Sequence, residues 1–432
     1  MTPGARLAAA IEVLADIEAR RRPAADALKD WGLGHRFAGS GDRSAIAGLV
    51  YDTLRRRASS AYLMGDAAPR AILLGMLRRE RELDIESIAR LADGSRYSIP
   101  ALTDDETKRL TSGTTDGAPL HVLGDYPEWL DPHLAAVFGD ERAEEGAALA
   151  SRAPLDLRVN ALKGDRDEAM GDLSDLSPFP TRWSPYGLRI ALSADKKSPA
   201  VHAEPAYLEG LIEIQDEGSQ LAALFADAKP GEQVVDLCAG GGGKTLALAA
   251  AMQNKGQLYA HDDDKRRLAP IHARLERAGV RNVQVRTPKA SGDVLADLDG
   301  ECDLVLIDAP CTGIGTWRRN PDAKWRIRPG ALEVRLKEQA EVLERSAALV
   351  KPGGRIAYIT CSVLDEENGA QVRAFVERHP EFSVQKPTAM TNLLGERAYL
   401  FQRAAKLTDD GVLMTPRRTD TDGFFVSVLR RA

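Results

Sequence analysis

The feature that most constrains this chain is a pattern that recurs from Gln233 onward: a short apolar run, a turn, and then a stretch with helical spacing. The runs are residues 234–237 (VVDL), 257–260 (QLYA), 303–307 (DLVLI) and 355–359 (RIAYI). Short apolar runs bounded by breakers read as buried parallel strands, and the stretches 245–252, 265–278 and 331–349 read as the helices that cover them. The last helix stops before Pro352, Gly353 and Gly354, residues that end helices. The expected fold class is therefore α/β, a doubly wound sheet. In such sheets ligands lie beyond the carboxyl ends of the strands, where the strand order reverses.

The strand ends carry the chemistry. Residues 304–313 read LVLIDAPCTG, so an apolar run stops abruptly in an acid, a proline and a cysteine. Asp308 and Cys311 are candidate functional residues, with a turn-capping acid and a small packing thiol as the alternatives. Residues 351–362 (KPGGRIAYITCS) bring Cys361 to the end of another strand, before the polar turn Asp365, Glu366, Glu367 that opens a helix. A thiolate is the reactive form of cysteine, and a strand end beside helix N-termini is a place where a thiol pKa can fall. One of the two suffices for nucleophilic catalysis.

The loop from Cys238 to Lys244 (CAGGGGK) joins the first strand to its helix. A Walker-type phosphate loop needs glycine five positions before Gly243, where Cys238 stands, and the dinucleotide fingerprint needs glycine where Thr245 stands. Asp262 follows the second strand, where an acid accepts hydrogen bonds from a ribose. A ribose-containing cofactor without an essential pyrophosphate satisfies these constraints, and S-adenosylmethionine fits best. Cys238, Ala239, Gly240, Gly241, Gly242, Gly243, Lys244 and Asp262 are its expected contacts. Cys302 reads as a packing residue. The four cysteines form no CxxC pair, so no metal site is expected.

The front of the chain differs in texture. Leu7, Ile11, Leu14 and Ile17, then Ile46, Leu49, Val50 and Leu54, then Ile72, Leu73, Met76 and Leu77 fall at helical spacing, giving an all-helical domain over residues 1–120. Arginines cluster on it at 20–22, at 55–57 and at 78, 79 and 81. They form either a phosphate-facing surface or solvated helix ends among Glu80, Glu82 and Glu86. The breaker cluster TSGTTDGAP at 111–119 is the expected linker. Residues 121–205 then read as a small α+β subdomain, with strands at 155–160 and 187–192 around a helix at 167–173, and residues 206–432 as the catalytic domain. Arg158 and Asn160 either meet RNA or simply alternate along a half-exposed strand. A net charge of -6 excludes a uniformly basic nucleic-acid coat protein, so any RNA contact is local. Without an apolar run of membrane length or a signal-like start, the expectation is a cytoplasmic protein with no membrane association.

These motifs, QDEGSQ at Gln215, DLCAGGGGKT at Asp236, DAPCTGIGTWRRNPDAKW at Asp308, TCSVLDEEN at Thr360 and DGFFVSVLRR at Asp422, resemble those of the RsmB (Fmu/Sun) branch of the RNA cytosine-C5 methyltransferases. The helical front, with GDRSAIAGLVYDTLRR at Gly41, is similar to the NusB-like RNA-binding domain of that family, and RVN at Arg158 to its small middle domain. The resemblance implies a Rossmann-like S-adenosylmethionine-dependent methyltransferase, acting as a monomer on RNA, most simply 16S ribosomal RNA. A transfer RNA methyltransferase with the same chemistry, or a non-catalytic RNA-binding assembly factor, are the alternatives. It further implies that Cys361 is the nucleophile, Cys311 the group that assists product release, and Asp308 the acid that contacts the target base and also lies against the cofactor, with Trp317, Arg318, Arg319 and Trp325 stacking on or clamping the RNA strand. The chain departs from the family pattern at Gly240 and Gly241, where alanine and proline are usual. It departs again at Thr287, Pro288, Lys289 and Ala290, where a glycine–aspartate pair is usual; Asp293 is the candidate replacement.

Overall fold

The computed structural model describes every residue except 193–198 and 291. The chain divides into two compact units, Met1–Arg152 with Trp317–Arg328, and Ala153–Thr316 with Pro329–Ala432. Among the described residues no helix is long and apolar enough to cross a membrane.

The first unit is helical, and its apolar stripes become its core: Leu7, Leu14, Ile46, Val50, Leu73 and Met76 are all buried. Local chemistry starts the helices where the sequence offers a cap. The Thr2 side chain accepts from Ala5 at the head of Pro3–Arg20, and Thr103 and Glu106 form a reciprocal capping box on Asp104–Ser112. The helical unit does not stop at 111–119. Further helices follow at Leu120–Leu123, Asp131–Phe138 and Arg142–Leu149. The breaker cluster is an internal loop because buried Asp125, just beyond it, accepts from the Ser59 backbone N–H at 2.9 Å and from the Ser59 hydroxyl at 2.8 Å. Those bonds tie the later helices to helix Arg57–Met64, so residues 121–150 belong with the helices and not with the α+β region.

In the second unit a small antiparallel sheet combines β1 (Leu155–Val159), β2 (Phe179–Pro180), β3 (Gly187–Ile190) and β4 (Ile212–Ile214) in the order β2-β3-β1-β4. The large sheet contains β5 (Gln233–Asp236), β6 (Gln257–His261), β7 (Val283–Arg286), β8 (Cys302–Asp308), β9 (Val350–Thr360), β10 (Phe382–Val384), β11 (Lys406–Thr408), β12 (Gly411–Met414) and β13 (Phe424–Arg431). Its order is β11-β12-β13-β9-β8-β5-β6-β7, with β10 on β13. From β9 to β7 every pairing is parallel, and β13 closes antiparallel on β9. The strand order reverses between β5 and β8, and it is there that Asp236 and Asp308 end their strands. The helix expected over 265–278 is two helices, Lys265–Leu268 and Ile271–Ala278, because Pro270 lacks the N–H that would continue the first.

Candidate active site

The glycine loop turns where its sequence permits. Gly240 and Gly242 have φ of 51° and 84°, and a Cβ on Gly242 would lie 2.6 Å from Ile271 Cγ1. Gly242 caps helix Gly243–Ala251, so the loop backbone faces the crevice at the reversal of strand order. Asp262 is buried, and its carboxylate accepts from Gly240 N–H at 3.0 Å and Asp264 N–H at 2.9 Å. Asp236 is also buried. Thr245 donates to its Oδ2 at 2.7 Å, whereas Oδ1 has no hydrogen-bond partner among the described residues. Burial pushes this carboxyl up to about 7. A buried carboxyl oxygen left open beside a glycine cradle is a site for a polar ligand that brings its own donor. The donor set therefore fits a small cofactor carrying an amino group and a ribose.

Two arginines brace this loop from outside, and sequence reasoning gave them other roles or none. Arg158 on β1 is buried; its guanidinium donates to the Gly243 carbonyl at 2.7 Å and to Gln215 Oε1 at 2.5 Å. Arg274 donates to the Gly241 carbonyl at 2.6 Å and to Glu213 at 3.0 Å. Of the two glycines that replace alanine and proline, Gly241 thus has its carbonyl tethered. Asn160 donates to the Gly210 and Ala278 carbonyls at 3.0 and 2.9 Å. Arg158 and Asn160 are consequently internal braces, and neither is presented to RNA.

β8 and β9 set the thiols side by side. Their register pairs Asp308 with Ile359, and Ala309 N–H donates to the Ile359 carbonyl at 2.8 Å. Cys311 and Cys361 follow those positions, and their sulfurs lie 3.3 Å apart. The hydrogen bond with Cys361 and burial push the Cys311 thiol up, so the fall expected from its strand-end position does not occur at Cys311. Asp308 receives the Lys244 ammonium at 2.6 Å, and Lys244 also stands 5.2 Å from the Phe424 ring centroid. The acid expected at the base and the lysine of the cofactor loop form one charged pair. Cys302, as expected, is buried in packing.

Two further groups fix the thiols and were not singled out in the sequence. Glu367, fully buried, accepts from Thr312 N–H at 2.7 Å, from the Thr312 hydroxyl and from Gln339 Nε2 at 3.1 Å. It holds the residue that follows Cys311. Asn368 engages the Thr360 hydroxyl at 2.5 Å and donates to the Ser362 carbonyl at 3.0 Å, so it clamps Cys361 from both sides. The acids at 365–367 look alike in sequence, and only the three-dimensional path turns Glu367 inward.

Other expectations change. Trp317 and Arg318 are 1% and 2% exposed, which leaves no face for stacking on RNA, and Trp325 Nε1 donates to the Leu54 carbonyl at 2.6 Å. All three lie in the helical unit, as does the partly buried Arg319. Most of the clustered arginines there are internally engaged: Arg55 with the Ser151 carbonyl, Arg56 with Glu80, Arg57 with Glu18 and Arg81 with Asp52. Asp293 is ion-paired with Arg345 at 2.7 Å and caps Leu295 N–H. It is committed to those partners.

Comparison with known proteins follows the same lines. Residues 223–430 match the family described as 16S rRNA methyltransferase RsmB/F. The probable ribosomal RNA small subunit methyltransferase B of Synechocystis sp. is 31% identical over 310 residues, 71% of this chain and 67% of that protein. Its counterpart in Bacillus subtilis is 31% identical over 341 residues, 78% of this chain and 71% of that protein. Among solved structures, PH0851 superposes with a TM-score of 0.72 at 26% identity, covering 100% of this chain and 99% of its own.

Proposed function

The chain belongs to the 16S rRNA methyltransferase RsmB/F family, and from that premise we propose that it methylates C5 of a cytosine in 16S ribosomal RNA, with Cys361 as nucleophile and Cys311 as the group that assists release. S-adenosylmethionine is its cofactor. The observation that carries the proposal is the 3.3 Å approach of two thiols at the carboxyl ends of adjacent strands, next to the Lys244–Asp308 pair.

C5 of cytosine is a weak nucleophile, and the thiol pair can overcome this. The Cys361 thiolate adds to C6, forming an S–C6 bond and an electron-rich C5. Cys311, whose thiol is pushed up by its contact with Cys361 and by burial, lies 3.3 Å from the attacking sulfur. Asp308 orients the ring, and Lys244 holds Asp308 in place and supplies a positive charge close to the polarised base. The Gly240–Gly243 loop, Asp262 and the open oxygen of Asp236, with backbone from Cys238 and Ala239, would hold S-adenosylmethionine, which when bound would supply the electrophilic methyl group and leave as S-adenosylhomocysteine. The C5 proton then passes to water, the electron pair of the breaking S–C6 bond returns to the Cys361 sulfur, and the Cys311 S–H steadies that departing thiolate, so both sulfurs end in the protonation states in which they began. The cytosine must be unpaired or everted to meet the thiol. The enzyme works in the cytoplasm as a monomer and without a metal.

Calorimetric titration with S-adenosylmethionine, followed by bisulfite sequencing of 16S RNA from cells lacking the protein, tests this reading. Binding of one cofactor and loss of one protected cytosine are expected. Unchanged protection throughout the RNA refutes C5 methylation, and absence of cofactor binding points to an RNA-binding assembly factor.

A further inference from the structure

A cavity of about 500 Å3 lies within the helical unit. Its floor is apolar, formed by Leu14, Ile17, Leu54 and Ile72. One wall is Trp325, anchored through Nε1 to the Leu54 carbonyl, with the Arg57 guanidinium carbon 5.5 Å from its ring centroid. The planar indole and the guanidinium over it are both partly buried, and Lys324 Nζ lies 5.1 Å from the same ring centroid. The rim is basic: Arg21, Arg57, Arg326 and Arg328 line the cavity against two carboxylates, Glu18 and Asp322. Each carboxylate is already used, Glu18 by Arg57 at 2.7 Å and Asp322 by Arg326 at 3.1 Å. Arg21 and Arg328 are exposed and have no ion pair among the described residues.

Arg21 stands apart from its neighbours. Arg20 and Arg22 both pair with Asp16 at 2.9 Å, while Arg21 ends the first helix in the left-handed conformation, φ 50°.

We propose that this cavity takes one unpaired nucleotide of the RNA substrate, with the base on the Trp325–Arg57 surface and the adjoining phosphates on Arg21 and Arg328. The inference rests on the RNA methyltransferase reading above. Base faces are planar and apolar, and guanidinium forks match phosphate oxygens, so an apolar floor with two uncompensated arginines suits a nucleotide on both counts. An acidic peptide would use the arginines and leave the flat surface without a matching group.

The test uses the full-length protein, a 16S ribosomal RNA transcript and the double variant Arg21→Gln/Arg328→Gln, whose sites are exposed and whose folding is checked by urea unfolding. Each single-strand phosphate contact contributes about 0.7 to the slope of log affinity against log salt. The variant is therefore expected to show a slope shallower by about 1.4 and an RNA affinity weaker by roughly 20-fold near 0.1 M salt. Its S-adenosylmethionine affinity and its turnover at saturating RNA should match the parent. An unchanged slope and RNA affinity overturn the proposal. So does competition by AMP alone at the cavity without any effect of the variant on RNA binding, which reassigns the site to free nucleotides. Methylation by the parent protein is measured alongside, so failure of the enzymatic reading is seen separately from failure of the cavity.

Discussion

Replacing Glu367 isolates the support beneath the release cysteine. Its carboxylate is fully buried and accepts three hydrogen bonds, two from Thr312 and one from Gln339, none from a cation. In Glu367→Ala those donors lose their acceptor. At about 1–3 kcal/mol for each buried donor left unsatisfied, and with Thr312 partly reached by water, the loss of stability is about 3–5 kcal/mol. Glu367→Gln keeps one oxygen for Thr312 N–H and Gln339, and the Thr312 hydroxyl can turn to accept; only the charge assistance is lost, about 1–2 kcal/mol. Urea unfolding measures both values. Single-turnover methylation then asks whether the thiols stay aligned: Glu367→Gln should slow product release about 5- to 30-fold, the kinetic equivalent of 1–2 kcal/mol, with S-adenosylmethionine affinity unchanged. If Glu367→Gln is as stable as the parent and releases product at the parent rate, the carboxylate does not position Cys311 and the reasoning fails.

Three further outcomes follow from the same geometry. The Asp236 carboxyl, raised by burial from the ordinary carboxylate range to about 7, is protonated in the folded chain at pH values where the unfolded chain has already lost the proton, so its contribution to stability is lost as pH rises from that range through about 7. Asp236→Asn should therefore be more stable than the parent at pH 8, with the difference shrinking toward pH 4, while binding S-adenosylmethionine about 10-fold more weakly, as a lost charge-assisted bond of about 1.4 kcal/mol requires; equal urea midpoints at pH 8 would count against the burial argument. Arg274→Ala frees the Gly241 carbonyl, and a KM for cofactor raised several-fold with little change in kcat is expected, partly recovered in Arg274→Lys. Lys324, buried and pushed down to about 7, donates to the Arg55 and Asp125 carbonyls. Between pH 7 and 10 the unfolded chain holds the proton that the folded one has released, so stability should rise with pH in the parent and lose that slope in Lys324→Met.

Much of the catalytic sheet was legible in the sequence because each buried strand is a short apolar run and each strand end is marked by an acid, a cysteine or a glycine. Asp308, Cys311 and Cys361 were singled out in that way, and the register of β8 on β9 brings the two thiols together; Asp236, with its open oxygen, was not singled out. The supports were not legible. Arg158, Glu213 and Arg274 reach the glycine loop through contacts between segments far apart in the chain, and nothing local marks them as its braces. Glu367 is one of three consecutive acids, and its inward turn depends on the path after β9. The boundary expected at 111–119 failed because glycine and threonine mark a break in a helix equally well inside a unit and between units. Trp317 and Arg318 drew attention as an aromatic–basic pair, yet burial gives them a packing role.

The division of labour between the two thiols is tested most directly by trapping. Cys311→Ser protein, incubated with 16S ribosomal RNA transcript and S-adenosylmethionine, is run on a denaturing gel. The account predicts a covalent protein–RNA band that the parent does not accumulate and that disappears in Cys311→Ser/Cys361→Ser. A band that survives removal of Cys361, or no band while Cys311→Ser still turns over at the parent rate, would contradict it.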